Sequence, residues 1–250
     1  MFIDTHCHLT DEYDGGVAAV VKRAKDAGVN TLICATANPA DIESAVKIAE
    51  TYDNIFVTTG IHPEYLNANP HDYLTTTILN HPRVIGVGEI GLDYHYGAQT
   101  RDAQIKLFES QLQIAYEHNM PIAIHTRDAE DDTKAIVTDK YHGVMHCFTS
   151  SWDLAKTMLD RGFYFSASGI ITFKNSESVR ETFAKIPNDR IVIETDSPYC
   201  APIPYRGKVC EPAMVIETAK VLATIKHLQL SELEEQLLKN TKALYPKIEF

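Results

Sequence analysis

The sequence predicts an α/β fold, namely a single (β/α)8 TIM barrel that occupies residues 1–250. Eight short apolar runs of strand type alternate without a break with helical patterns along the chain. A barrel of this kind typically needs about 250 residues, so the whole chain suits one domain. An open doubly wound sheet would produce a similar alternation and is the alternative arrangement.

The first half of the chain contains four predicted strands with helices between them. The first helix ends before Gly28, because glycine is common just after a helix C-terminus. Pro39 begins the second helix at the first-turn position that proline favours. A Pro- and Asn-rich loop then leads to a short third helix. The strands are predicted at 2–6, 31–35, 55–60 and 84–89, and the helices at 16–27, 39–51 and 72–79.

The second half continues the same alternation. A long amphipathic pattern predicts a helix that leads into the fifth strand, and two helices close the chain. No linker or low-complexity segment interrupts it. The strands are predicted at 122–125, 143–146, 163–166 and 190–194, and the helices at 101–118, 129–138, 151–160, 176–185, 212–225 and 231–243.

The composition is that of an ordinary globular protein that can bury a sizeable core. Hydrophobic residues make up 44% of the chain and charged residues 23%. The 34 acidic and 23 basic residues give a formal net charge of -11, so the protein as a whole should repel polyanions. A nucleic-acid substrate must therefore be held by a local pocket or by metal ions.

Targeting and redox features indicate a cytoplasmic protein. The N-terminus, Met1-Phe2-Ile3-Asp4, lacks the basic region and apolar stretch of a leader, and no apolar run is long enough to span a bilayer. The five cysteines are irregularly spaced without a Cys-x-x-Cys pair, which argues against a disulfide framework and against a cysteine-based zinc module. We expect a soluble protein with reduced thiols and no membrane partner.

Polar residues interrupt or follow the predicted strands at their C-terminal ends. Parallel barrels carry their catalytic groups at these ends, so we expect the side chains to converge on one site. In the first strand, alternate side chains point the same way, so His6 and His8 share a target while Cys7 packs behind them. Cys147, next to His146, is expected to pack in the same way. The strand-end set is His6, His8, His62, Glu89, His125, His146 and Asp196.

This set predicts a centre for two divalent cations. Apart from His62, its four imidazoles and two carboxylates exceed the needs of one tetrahedral ion, and a bridging carboxylate would allow two. Two ions can activate a water molecule, polarise the attacked centre and neutralise the leaving oxygen, which is hydrolase chemistry. Asp196 would either orient the water or take its proton. The predicted partition places His6, His8 and Asp196 on one ion, His125 and His146 on the other, and Glu89 on both.

The identity of the two ions stays open among magnesium, zinc, manganese and cobalt. Imidazole ligands suit zinc, manganese, cobalt or iron, whereas an all-oxygen magnesium cage is not indicated. Mixed nitrogen and oxygen sites can nevertheless take magnesium when it is supplied at high concentration.

Several motifs resemble the TatD-type metal-dependent deoxyribonucleases of the amidohydrolase-like barrels, and the likeness spans the whole chain. The resemblance implies a metal-dependent phosphodiesterase, usually a 3′-to-5′ exonuclease on DNA or RNA, with nucleic-acid ends as its substrate. It supports the metal partition and implies that His62 and Arg127 line the substrate pocket. The motifs are Asp4-Thr5-His6-Cys7-His8, Gly60-Ile61-His62-Pro63, Gly88-Glu89-Ile90-Gly91-Leu92-Asp93-Tyr94, Pro121-Ile122-Ala123-Ile124-His125-Thr126-Arg127, His146-Cys147-Phe148 and Glu194-Thr195-Asp196-Ser197-Pro198-Tyr199.

The chain departs from this resemblance at Cys210, where an asparagine is expected. A thiol is a weak hydrogen-bonding group, which puts in doubt a bond that could fix the loop carrying Asp196.

The substrate-binding residues have structural alternatives. Arg127 suits bidentate phosphate recognition but could instead pair with a neighbouring acid. His62, followed by proline, could simply shape a turn. Asp93 and Tyr94 follow Glu89 in a rim loop, where a pocket role and a purely structural role are equally plausible.

Two other functions compete with phosphodiester hydrolysis. Barrels of this kind also serve amidases, esterases and phosphotriesterases on small substrates. Many of these bridge their metals with a carboxylated lysine, whereas no predicted strand end here carries a lysine and Glu89 takes that place. A non-catalytic metal-stabilised binding module is the third hypothesis. Structural zinc sites are usually rich in cysteine, whereas the predicted ligands here are histidines and carboxylates, which argues against it.

Overall fold

The computed structural model describes residues 1–10 and 13–248, which form a barrel of eight parallel strands. The strands are hydrogen-bonded to each other in chain order from β1 to β8, as the alternation of strands and helices predicts. The predicted TIM barrel is therefore confirmed. Its strands are β1 (Phe2–Cys7), β2 (Val29–Ala35), β3 (Ile55–Thr59), β4 (Val84–Asp93), β5 (Ile122–Arg127), β6 (Gly143–Met145), β7 (Tyr164–Ala167) and β8 (Ile191–Ile193).

Helices follow the strands, and most begin and end within a few residues of the prediction. The helix predicted at 72–79 is in fact two single turns, since Leu74 leaves the helical conformation with ψ 58°. The helices are α1 (Gly16–Asp26), α2 (Ile42–Thr51), α3 (Pro70–Tyr73), α4 (Thr76–Leu79), α5 (Tyr94–Gly97), α6 (Arg101–Glu117), α7 (Glu130–Ile136), α8 (Trp152–Asp160), α9 (Glu177–Lys185), α10 (Val215–Lys226) and α11 (Leu230–Leu244). Within the described ranges, none of these helices has the length and apolarity needed to cross a membrane.

The predicted end of β4 at Glu89 is wrong, because the strand continues to Asp93. Its pairing with β5 shifts register between Val87 and Ile90, so Glu89 lies at an irregularity in the middle of the strand. The Glu89 N–H donates to the Thr36 carbonyl at 2.9 Å, beyond the end of β2. A local break in the ladder, and not the strand terminus, therefore turns this carboxylate into the barrel mouth.

The barrel closes between β1 and the segment that follows β8. Cys7 and Ser197 form a parallel bridge there, and the Thr5 hydroxyl donates to the Ile193 carbonyl at 2.9 Å. The Asp196 N–H donates to the His6 carbonyl at 2.9 Å. Since His6 and Asp196 both belong to the predicted metal set, closing the barrel also brings these two residues together.

The opposite end of the barrel is filled by apolar side chains. Strands β2 to β8 each contribute one buried residue to a cluster that the C-terminal segment completes. Such a plug makes this end a packed core, and the polar site lies at the other end. Its members are Ile33, Phe56, Ile85, Ala123, Val144, Tyr164, Val192, Leu244, Tyr245 and Ile248.

Replacing Gly143 with alanine tests the close approach of β5 and β6. A Cβ at Gly143 would lie 2.0 Å from the Ile122 carbonyl oxygen, whose backbone is fixed by the strand ladder. We expect Gly143→Ala to lower the free energy of unfolding by about 3 kcal/mol or more, measured by urea denaturation.

Gly162→Ala is the matched control for that substitution. Gly162 has φ +83°, but apart from its chain neighbours no atom of the described residues lies within 4 Å of an added Cβ, so only the backbone conformation is penalised. Its expected loss is about 1 kcal/mol. Equal losses in the two variants would contradict the steric account of Gly143.

Candidate metal centre

Five imidazoles surround the carboxylate of Glu89, which is only 5% exposed. The imidazoles come from β1, its following residue, the β3 loop, β5 and the end of β6, so the strand-end set does converge as predicted. The ring nitrogens lie 3.5 Å (His6), 3.7 Å (His8), 3.8 Å (His62), 3.0 Å (His125) and 2.9 Å (His146) from a Glu89 oxygen.

The two oxygens of Glu89 face different histidines. His6 and His8 approach Oε2, whereas His125 and His146 approach Oε1. Each pair forms, with Glu89, a group of ligand atoms that lie within 4.8 Å of one another. Relative to Glu89, the histidines therefore lie in two pairs, although His6 and His146 also form a group of neighbouring ligand atoms with Asp196. The assignment of the pairs to two ions stays a prediction.

Asp196 joins the His6 and His8 side of the centre. Its Oδ1 lies 3.5 Å from His8 Nε2 and 4.0 Å from His6 Nε2. The residue adopts a left-handed conformation with φ 57°. Aspartate tolerates this region better than most residues, and the conformation sets the direction in which the carboxylate leaves the loop.

The hydrogen bonds of the His125 and His146 rings are typical of histidines that bind a cation. His125 Nε2 bonds to Asp93 at 3.2 Å and His146 Nδ1 bonds to Glu194 at 3.2 Å, which assigns a proton to each of these nitrogens. In the neutral rings, the other nitrogens then point lone pairs at Glu89 Oε1 from 3.0 and 2.9 Å. Lone pairs that converge in this way require a shared proton or a metal ion.

His6 supplies a second sign of the same kind. Its Nε2 is buried and has no hydrogen-bond partner among the described residues, although burial normally demands one. The donors around it are imidazole nitrogens and carboxylate oxygens, which suit zinc, manganese or cobalt. The residues present therefore fit a divalent metal.

Comparison with known proteins identifies the family. The family model described as TatD related DNase matches residues 3–246. The chain is 36% identical over 252 residues to the uncharacterized metal-dependent hydrolase YabD of Bacillus subtilis, a match that covers 98% of this chain and 99% of YabD. The chain belongs to the TatD family.

Another relative and a solved structure agree with this membership. The uncharacterized metal-dependent hydrolase YcfH of Escherichia coli K12 is 39% identical over 254 residues, covering 97% of this chain and 95% of YcfH. The crystal structure of YjjV, a TatD homologue from the same bacterium, superimposes with a TM-score of 0.90 at 26% identity and covers 98% of both chains. This TatD family member is thus a metal-dependent hydrolase.

Glu194 belongs to a predicted motif, but the motif alone assigns it no role, whereas in the structure it contacts the site. It is fully buried, and its Oε1 accepts hydrogen bonds from His146 Nδ1 at 3.2 Å and from the Cys147 N–H at 2.6 Å. His8 is oriented similarly, since its Nδ1 bonds to the Ala35 carbonyl at 2.9 Å. Such partners fix the ring direction and the tautomer of a metal-binding histidine. Its position at a strand end, two residues before Asp196, could have indicated in the sequence that Glu194 belongs to the site.

Asp93 and Tyr94 contact protein groups in this structure. Asp93 ends β4, and its Oδ2 accepts from His125 while its Oδ1 accepts from the His95 N–H at 2.9 Å. The Tyr94 hydroxyl donates to Asp132 at 2.7 Å. These contacts give Asp93 a role in orienting His125, and the substrate-binding role of both residues stays a prediction.

His62 lies against the His125 side of the centre. Its ring meets the His125 ring edge-on with centroids 4.7 Å apart, and its Nδ1 accepts from the Glu64 N–H at 3.3 Å. Burial lowers the pKa of His62 to about 4, so the ring is neutral at pH 7. Arg127 is exposed at the end of β5, two residues beyond His125.

The loop that carries Asp196 is held by a buried aspartate and by backbone bonds. Asp4 accepts from the Thr195 N–H at 2.9 Å and from the Thr195 hydroxyl at 2.5 Å. The Cys210 N–H donates to the Pro198 carbonyl at 3.0 Å, while its thiol lies 4.0 Å from the Glu211 carbonyl. The main chain at Cys210 thus makes a bond to this loop that does not depend on the side chain.

Glu194→Gln tests whether the outer carboxylate supports the centre. The amide can still accept hydrogen bonds but loses the negative charge beside His146, so we expect metal affinity to fall about 10–100-fold. Competition with a chromogenic chelator measures this affinity. Glu43→Gln on exposed α2 is the control, and equal affinity in both variants would contradict the assignment.

Proposed function

We propose that this TatD family member hydrolyses phosphodiester bonds as a 3′-to-5′ exonuclease on single-stranded DNA or RNA. Two divalent ions, drawn from magnesium, zinc, manganese and cobalt, would be held by His6, His8, His125, His146, Glu89 and Asp196. The observation that carries the proposal is the division of the Glu89 carboxylate between two pairs of histidines.

The chemistry of such a centre suits phosphate esters. When bound, a pair of ions held by a shared carboxylate can stabilise both the attacking and the leaving oxygen of an in-line displacement. The match to the TatD related DNase model adds support from the family.

Asp196 is the group to which we assign the proton of the attacking water. Burial raises the pKa of Asp196, but the hydrogen bond with His8 and the nearby imidazoles of His146 and His6 outweigh burial and lower it. The carboxylate is therefore ionised at neutral pH and can accept a proton. Glu89 is ionised for the same reason, since its histidine neighbours hold its pKa well below the usual range.

Arg127 and His62 are the proposed substrate contacts. The net charge of -11 opposes a polyanion, so local groups must offset it at the mouth. The Arg127 guanidinium is exposed next to the centre and has the planar donor geometry that binds phosphate. Neutral His62 can donate from Nε2, because its Nδ1 accepts the Glu64 N–H.

An assay of end-labelled single strands tests the reaction and its metals together. Strands of DNA and RNA with a 5′ label are incubated with Mg²⁺, Mn²⁺, Zn²⁺ or Co²⁺. We expect progressive shortening from the 3′ end with at least one metal, and no products with chelator. A labelled mononucleotide as the first product would contradict the polarity.

A panel of small amide, ester and phosphotriester substrates serves as the control for this assay. Folded, metal-loaded protein that releases no nucleotide but turns over one of these compounds would replace the nuclease proposal. Double-stranded and circular substrates establish whether a free single-stranded end is required.

Asp196→Asn tests the proton acceptor. The amide keeps the shape of the side chain but cannot take a proton, so we expect kcat to fall about 10²–10⁴-fold or more. Circular dichroism and metal content establish that fold and centre persist. Asp139→Asn, on the exposed turn before β6, is the matched control. Wild-type kcat in Asp196→Asn would overturn the assignment.

A further inference from the structure

A second group of metal-binding side chains lies beside the histidine centre. Cys147 Sγ, Cys200 Sγ and a carboxylate oxygen of Asp196 all lie within 4.8 Å of one another. Cys147 directly follows His146 after β6, and the other two residues belong to the loop after β8. All three residues are half-buried, which places the group near the protein surface.

Cys147 departs from the expectation that it packs behind the site like Cys7. Cys7 is fully buried in the main core, whereas Cys147 is only partly buried. The alternation of a strand no longer applies to Cys147, because β6 ends at Met145 and Cys147 has φ 42°. Its thiol therefore points towards the loop after β8.

The two oxygens of Asp196 face different donor sets. Oδ1 lies 3.5 Å from His8 Nε2, on the side of the histidine centre. Oδ2 accepts a hydrogen bond from Cys200 Sγ at 3.5 Å. One carboxylate thus connects the histidine centre with the pair of thiols.

The backbone holds both cysteines in place. The Cys147 N–H donates to buried Glu194 at 2.6 Å, and its thiol donates to the Ser168 hydroxyl at 3.2 Å. The Cys200 carbonyl packs against Gly169, where a Cβ would lie only 2.0 Å from that oxygen. Contact with this glycine, after β7, brings the Cys200 loop close to the neighbouring strand ends.

The ligand chemistry differs from that of the histidine centre. Thiolates bind soft or borderline cations such as zinc, whereas magnesium and manganese prefer oxygen. Two sulfurs and one oxygen would supply three ligands of a tetrahedral zinc site and leave the fourth position open. Such a site would discriminate between zinc and magnesium even where the histidine centre accepts both.

We propose that Cys147, Cys200 and Asp196 form a further binding site for a thiophilic divalent cation such as Zn²⁺, next to the histidine centre and sharing Asp196 with it. Binding forms metal–sulfur and metal–oxygen bonds and releases the two thiol protons to the buffer. This expectation rests on the function proposed above: since a cation there occupies Asp196, excess Zn²⁺ should lower hydrolytic turnover while excess Mg²⁺ should not. The binding itself does not depend on the identity of the substrate.

Sulfur-to-metal charge transfer tests the proposal in the intact protein. Metal-loaded, phosphine-reduced protein is titrated with Cd²⁺, and the ultraviolet absorption that only thiolate ligation produces is recorded. We expect this band in the wild type, its displacement by Zn²⁺, and its loss in Cys147→Ser and in Cys200→Ser. Cys34→Ser is the control, because Cys34 is a buried core cysteine outside the group, and should retain the band.

Several outcomes would overturn the proposal. One is a wild-type protein that binds Cd²⁺ without the charge-transfer band. Another is a band that persists in the Cys147→Ser/Cys200→Ser double variant. The third is a disulfide between Cys147 and Cys200 whose reduction does not produce the band. X-ray absorption of the Cd²⁺-loaded wild type provides a readout that does not depend on variant folding. Absence of sulfur neighbours around the metal would exclude the site whether or not the protein is a nuclease.

Discussion

The carboxylate of Glu89 is the group on which the rest of the site depends. A buried charge is strongly unfavourable unless it is paired, and Glu89 is 5% exposed. Its partners are imidazoles delivered by separate elements of the barrel, so no local segment can satisfy it. Burial of this one carboxylate is therefore compatible only with a closed barrel whose strand ends meet. A cation between Glu89 and its histidines is the simplest way to neutralise the converging lone pairs.

Barrel closure and site assembly are the same structural event at the β1 seam. The backbone of His6 accepts from Asp196, while Asp4 holds Thr195 from the other side of the seam. The hydrogen bonds between β1 and the loop after β8 thus hold Asp196, the proposed metal ligand, in its position at the site. This coupling explains why polar residues of β1 are buried without weakening the barrel, since their bonds replace ordinary strand pairing.

Asp196 occupies the boundary between two chemical environments. On one side are imidazoles, which accept many divalent cations, and on the other are two thiols, which favour soft ones. The left-handed backbone at Asp196, Cys147 and Cys200 is what turns these side chains towards each other. The role proposed for Asp196 in hydrolysis and the proposed thiophilic metal site would therefore depend on the same carboxylate.

The alternation of strands and helices, and the polar residues at the strand ends, can be predicted from the sequence alone. Strand ends can be recognised from apolar runs, and a parallel barrel places every such end at one mouth. The sequence did not determine the true extent of β4, where a register shift and not the strand end directs Glu89. Nor did it reveal that Glu194 supports His146, or that Cys147 meets Cys200. Those contacts join residues far apart in the chain, and they depend on barrel closure, left-handed loop residues and the Gly169 contact. These contacts form only when all the strands are in place, because the residue pattern within one segment does not specify the angle between two segments.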